Sequence, residues 1–254
     1  MKSIAVSGKG GAGKTALTAM MTKVIIGKGT PGKILLVDAD PAGGLAPALG
    51  LSVEITIGNI REEIIRSVRK GGRKTKAQIA GAVDYKIMEA LAELESFSFL
   101  AVGRTETDGC FCPVNDLLRD AIEILLKDFD LVIIDGEAGL EQINRKVMRS
   151  VDSLIIVTDP SHRGKRTAAG IKDIVETQRL MKSDQMALVM NRIKGAVGLG
   201  EEAAREVGLK LAGCIPEDEN ITRYDSMGKP LLELPEDSPG VVAVQGILEN
   251  LRIN

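Results

Sequence analysis

Five small residues, two lysines and a hydroxyl share eight positions in Gly8-Lys9-Gly10-Gly11-Ala12-Gly13-Lys14-Thr15, with Ala16 next in line. Glycines let the backbone turn tightly and bring its amides close to phosphate oxygens. The lysine at the end places a cation on β- and γ-phosphates, and the neighbouring hydroxyl can ligate Mg2+. Gly8, Gly10 and Gly13 also satisfy G-x-G-x-x-G, and Asp38 ends the next apolar run where a ribose-binding acid would sit, so a dinucleotide site is a competing reading. Lys14-Thr15 directly after Gly13 favours a nucleoside triphosphate, because a dinucleotide site needs neither group. A second run agrees: Leu131 to Ile134 ends in Asp135 and continues Gly136-Glu137-Ala138-Gly139. Asp135 could then hold Mg2+ and the Gly139 amide sense a γ-phosphate.

A different chemistry stands at Gly109-Cys110-Phe111-Cys112-Pro113. In an extended segment, residues i and i+2 face the same way, so two thiolates can converge on one soft metal. Two thiolates do not close a site, whereas a homodimer would supply four, enough for tetrahedral Zn2+ or tetragonal Ni2+. By spacing alone, two buried cysteines or a redox pair fit as well. Cys214, inside the apolar Leu211 to Ile215, reads as a small core residue, and the single histidine, His162, reads as a solvated loop residue.

The elements that must position these residues are visible as short apolar runs: Ile4 to Val6, Ile34 to Val37, Phe97 to Val102, Leu131 to Ile134, Leu154 to Val157, Ala187 to Met190 and Leu211 to Ile215. Segments with helical spacing lie between most of them, among them Ala16 to Ile26, Val114 to Leu126 and Thr167 to Leu180. This alternation predicts an α/β three-layer sandwich, a mostly parallel sheet of about seven strands covered by helices on both faces, and Gly8 to Thr15 between its first strand and first helix make the expected fold that of a P-loop NTPase. The expected organisation is one domain over residues 1–254, with a helical insertion at about 52–96 and a metal-binding loop at about 103–113. Within the insertion, Asn59 to Val68 and Lys86 to Leu94 read as helices around the basic stretch Arg69 to Lys76, and the whole reads as a lid or partner-facing segment.

With 33 basic against 35 acidic residues, the chain has no general cationic field, so neither nucleic acid nor an anionic membrane is an expected partner. Val241 to Ile253 has some amphipathicity but a single cation, Arg252, a poor membrane anchor. The N-terminus opens on strand-like residues and no run is long enough to span a bilayer, which predicts a cytoplasmic protein.

The extra Lys9 makes the glycine loop resemble the deviant Walker A of the MinD/ParA/nitrogenase-iron-protein class of ATPases, and the resemblance spans nearly the whole chain. It implies a homodimer closing face to face around two ATP molecules, with ATP and ADP as ligands and Lys9 reaching onto the partner's phosphates. Lys14 and Asp40 join Lys9 as the implied catalytic residues: Asp38-Ala39-Asp40-Pro41 matches switch I, where Asp40 would orient the attacking water and Asp38 support Mg2+ through water. Asn191 stands where members of the class recognise adenine, and Pro216 and Glu219 resemble the loop covering the base. Within the class, the Cys-x-Cys motif resembles that of the CooC-like accessory ATPases. That implies Ni2+ or Zn2+ shared by Cys110 and Cys112 across the dimer, and a client nickel enzyme of the carbon monoxide dehydrogenase or acetyl-CoA synthase type. Other members suggest two alternatives, an iron–sulfur scaffold or electron-transfer ATPase and a positioning or partition ATPase. An amide-forming ligase of related fold is a third.

Overall fold

Period-two alternation inside the apolar runs decides which helices each side of a strand meets. In the computed structural model, residues 1–29, 32–69, 76–104, 112–140, 147, 149–178, 181–195 and 198–253 are described. The strands are β1 (Lys2–Gly8), β2 (Ile34–Asp38), β3 (Ala92–Glu93), β4 (Ser98–Ala101), β5 (Leu131–Asp135), β6 (Ser150–Thr158), β7 (Lys182–Ile193) and β8 (Lys210–Pro216). They form an eight-stranded sheet in the order β3-β4-β2-β5-β1-β6-β7-β8, parallel throughout except for β3 against β4. The architecture is a three-layer α/β sandwich. It has one strand more than expected: the two residues of β3 are exposed, so no apolar pattern marks them.

Ile4, Val6, Leu36, Ile133, Ile155 and Val157 face a core layer built with α1 (Lys14–Gly27), α2 (Leu45–Ala48) and the later α9 (Pro239–Asn250). Their neighbours Ala5, Leu35, Val37, Val132, Ile134, Leu154 and Ile156 face the other layer. That layer is made of α3 (Ile57–Arg69), α4 (Lys76–Ala90), α5 (Cys112–Leu126), α6 (His162–Asp173) and α7 (Leu199–Val207). Burial on both faces is why these strands read as continuous apolar runs. One further helix, α8 (Glu219–Ser226), follows β8.

The segment expected as a lid contributes to this second layer: Ile57, Ile60, Ile64, Ile65, Val83 and Ile87 are all buried. Its second helix begins at Lys76 and ends at Ala90, before Leu94, and the helix expected over Thr167 to Leu180 starts earlier, at His162, and gives way to a π-helical turn at Ile174–Gln178. All the parallel strands end on one edge of the sheet, where α/β folds bind ligands. β1, β2, β5 and β6 deliver Gly8, Asp38, Asp135 and Thr158 there.

Candidate functional site

The glycine loop connects β1 to α1 with no room for larger residues at its two ends. Gly8 has φ 148°, and a Cβ there would lie 2.1 Å from the Val157 carbonyl oxygen of neighbouring β6. Gly13 caps α1 at φ 92°, and its Cβ would lie 2.2 Å from Asn191 Nδ2. No side chain caps α1, and its first turn carries no acid, so the helix presents unmet amides and the positive end of its dipole to the loop. Such an end is a ready anion site. Lys14, buried to 7% exposure, bends back so that Nζ donates to the Lys9 carbonyl at 3.3 Å. Its burial lowers the ammonium pKa, opposed by Asp135, Asp40 and Glu137. Gly13→Ala is expected to destabilise the chain by about 3 kcal/mol, from positive φ plus displacement of Asn191, and to cost at least about 10-fold in nucleotide affinity; thermal melts and a fluorescent-nucleotide titration measure both.

Two carboxylates meet behind the loop. Asp38 and Asp135 are register partners on adjacent β2 and β5. Burial pushes Asp135 up to about 7, helped by the nearby Asp38 and opposed by Thr15, Thr18 and Lys14. Burial likewise lifts Asp38 to about 6, against hydrogen bonds from the Leu45 and Asp40 amides. Thr15 Oγ1 donates to Asp135 Oδ2 at 2.7 Å and Thr18 Oγ1 approaches Oδ1 at 3.2 Å. Two buried acids with raised pKa values beside a hydroxyl that keeps free lone pairs are a donor set suited to a hard divalent cation such as Mg2+. Asp40 sits further out; its Oδ1 accepts from the Ala42 amide at 2.8 Å, shaping the turn after β2.

Lys9 does not join the cluster. Its Nζ reaches sideways to Asp159 Oδ2 at 2.7 Å and Ser161 Oγ at 3.3 Å, just past the end of β6. Partial burial pushes the Asp159 carboxyl up, but hydrogen bonds from Lys9 and Ser161 outweigh it and hold the group below the usual range. On the β5 side, Ser7 Oγ donates to the Gly139 carbonyl at 3.1 Å, and the Gly139 amide is occupied by Glu137 O at 2.8 Å.

Asn191 sits at the back of the loop, where Nδ2 donates to Ala12 O and Oδ1 accepts from Arg192 N, both at 2.8 Å. A primary amide has two N–H donors and two acceptor lone pairs, so one of each is left for the edge of a base. Asn191, Pro216 and Glu219 line one cavity of about 310 Å³ beside Gly13, Ala16 and Met20. Its outer wall is fixed by Asp218, which caps α8 through Asn220 N at 2.9 Å, accepts from Gly240 N at 2.8 Å and bonds Ser238 Oγ.

Cys110 lies outside the described residues, as does most of the loop at 103–113. Extended geometry does not carry through the motif, because Cys112 is the first residue of α5 and Pro113 the second; proline suits a first helical turn, which needs no amide there. Among the described residues no cluster of three or more His, Cys, Asp or Glu could hold a metal. Cys214 is partly buried, and desolvation raises its thiol pKa. His162 opens α6 behind its cap, Ser161.

Several residues of this region escape sequence reading. Thr18 follows Thr15 by three positions on one helix face, a spacing that could have marked it. Ser7, Asp159 and Ser161 have no such signal, since the partners that bring them to the site, Gly139 and Lys9, are distant in sequence, and no spacing marks Arg192 or Asp218.

Loop, acids and sheet order together define the class: a P-loop ATPase fold of the MinD/ParA type. A family profile described as "AAA domain" matches residues 1–190, and the chain belongs to that family. An uncharacterized ATP-binding protein of Methanocaldococcus jannaschii is 40% identical over 249 residues, covering 98% of this chain and 97% of its own. The carbon monoxide dehydrogenase accessory protein CooC of Rhodospirillum rubrum is 30% identical over 243 residues, covering 91% of this chain and 89% of its own. Among solved structures, the MinD cell division protein of Aquifex aeolicus aligns with a TM-score of 0.71 at 21% identity, over 100% of this chain and 98% of that one. MinD of Pyrococcus horikoshii, complexed with Mg-ADP, aligns with a TM-score of 0.69 at 23% identity, over 98% and 95%. These two likenesses concern the fold. Among the described residues no helix is long and apolar enough to cross a membrane.

Proposed function

We propose that this chain is an ATP-hydrolysing metallochaperone that dimerises around nucleotide and presents Ni2+ or Zn2+, as cargo, to a client nickel enzyme of the carbon monoxide dehydrogenase or acetyl-CoA synthase type. The observation that carries the reading is a Cys-x-Cys pair, Cys110 and Cys112, in a chain 30% identical to a carbon monoxide dehydrogenase accessory protein along most of its length. In this reading the loop amides from Gly8 to Ala16 and Lys14 hold the phosphates. Thr15 and Asp135 hold Mg2+, with Asp38 behind, and the Gly139 amide gives up its bond to the Glu137 carbonyl to sense the γ-phosphate. Asn191, Pro216 and Glu219 receive adenine. Asp40 orients the attacking water, and Lys9 leaves Asp159 to reach the partner's phosphates.

Metal analysis tests the cargo. The wild-type dimer is expected to bind about one Ni2+ or Zn2+, the number four thiolates close around, and Cys110→Ser/Cys112→Ser to lose it while still binding ATP. Unchanged stoichiometry in the double variant would remove the cysteines from the function. A brown, oxygen-sensitive protein would point to an iron–sulfur cluster instead.

A further inference from the structure

Among the described residues, two non-glycine residues have positive φ: Arg192 at 58° and Arg252 at 54°. Arg252 follows the end of α9, where Ile253 N bonds Leu248 O, so a helix stop explains it. Arg192 has no such reason. It lies inside β7, where the pairing with β8 slips between Met190 and Ile193. The strained backbone is pinned by the 2.8 Å bond from its amide to Asn191 Oδ1.

The consequence is a change of direction. Along β7, Ala187 and Val189 face the α1 layer while Leu188 and Met190 face the other, so a regular strand would send Asn191 toward the glycine loop and Arg192 to the opposite side. Instead Arg192 lines the 310 Å³ cavity with Gly13 and Ala16, and also an adjoining cavity of about 620 Å³ with Thr15, Gly44 and Thr222. An irregularity of this kind re-aims a side chain, and backbone strain held in place by a neighbouring hydrogen bond tends to mark function. The nearby acids are otherwise engaged: Glu217 pairs with Lys194 at 3.2 Å and Asp218 with Asn220, Ser238 and Gly240. Among the described residues, no carboxylate forms an ion pair with the Arg192 guanidinium.

We propose that Arg192 is a nucleotide-binding residue that covers the purine and ribose, its planar guanidinium lying on the base whose edge Asn191 meets. The inference rests on the nucleotide reading of the site. A guanidinium stacks on an aromatic face as an ammonium does not, so arginine here is not interchangeable with lysine.

Titrations of Arg192→Ala, Arg192→Gly and Arg192→Lys with fluorescent ATP and ADP, competed by inorganic tripolyphosphate, test it. Arg192→Ala and Arg192→Gly are expected to weaken both nucleotides about 10-fold and to leave tripolyphosphate within about two-fold; Arg192→Lys falls between. Because glycine accepts φ 58° without strain, ligand-free Arg192→Gly is expected to melt no lower than the wild type, which separates lost binding from lost folding. Nucleotide affinities in the alanine and glycine variants within two-fold of the wild type overturn the inference, and so does an equal loss of tripolyphosphate binding. A wild type that binds no ATP overturns the nucleotide reading along with it.

Discussion

Lys9→Ala is expected to bind ATP within a few-fold of the wild type and to hydrolyse it about 10³-fold more slowly, the scale of losing a cation delivered in trans to the transition state. Two lysines share the loop, and the geometry divides their work. Lys14 folds back over the loop to the Lys9 carbonyl, whereas Lys9 points to Asp159 and Ser161 past the end of β6. Binding within one protomer thus has little need of Lys9. The Lys9–Asp159 pair is about one-quarter exposed, so giving it up costs little, on the order of 1 kcal/mol or less. A dimer that offers Lys9 a triphosphate outcompetes one carboxylate easily. Phosphate release under single-turnover conditions, alongside equilibrium ATP binding, separates the two effects. Wild-type turnover in Lys9→Ala would end the in-trans role, and lost binding would move Lys9 to its own protomer's phosphates.

What can be read from sequence is what is dictated locally. Leu131 to Asp135 is buried at every position and is followed by a glycine, so strand, terminus and carboxylate all show in one short run. Gly8 to Thr15 is legible for the same reason, its chemistry lying in consecutive residues. β3 is not legible, because Ala92 and Glu93 are exposed and are held by backbone pairing alone. The helices around the basic stretch reach closer to it than their apolar spacing suggests, since polar residues from Arg69 to Lys76 hide where α3 ends and α4 begins. At the site, Asp159 lies 150 positions from Lys9, and Asn191 lies 179 from the Ala12 carbonyl it braces. Such pairings are created by sheet order, with β6 beside β1 and β7 beyond it, which no spacing along the chain expresses. Arg192 is the extreme case: its role follows from a backbone angle and a slipped register.

Asp135→Asn is expected to stabilise the ligand-free protein at pH 8 by a few kcal/mol while removing most Mg2+-dependent nucleotide affinity. The wild-type carboxyl is fully buried, its pKa pushed up to about 7 by desolvation, and Asp38 beside it stands at about 6; both are near 3.8 when unperturbed. Between those limits the folded chain holds more protons than the unfolded one. The stability of the free protein is therefore greatest below pH 4 as far as these groups are concerned, and is lost as pH rises through 6 and 7. Every tenfold weakening of an acid on folding is worth about 1.4 kcal/mol, so the burden at pH 8 is several kcal/mol, reduced by whatever water reaches the pair. Asparagine keeps the shape and carries no charge: its oxygen can accept from Thr15, and its amide can donate to Thr18, whose own proton has the Lys14 carbonyl at 3.1 Å. Melting in chelator from pH 5 to 8 should fall steeply for the wild type and much less for the variant. Mg2+ with nucleotide should reverse the order, because the cation restores the charge that burial opposes and the wild type alone supplies the carboxylate. A wild-type melting temperature that is flat or rising across that range, with the variant matching it, would mean that Asp135 is not held protonated and that no divalent cation is needed to relieve it.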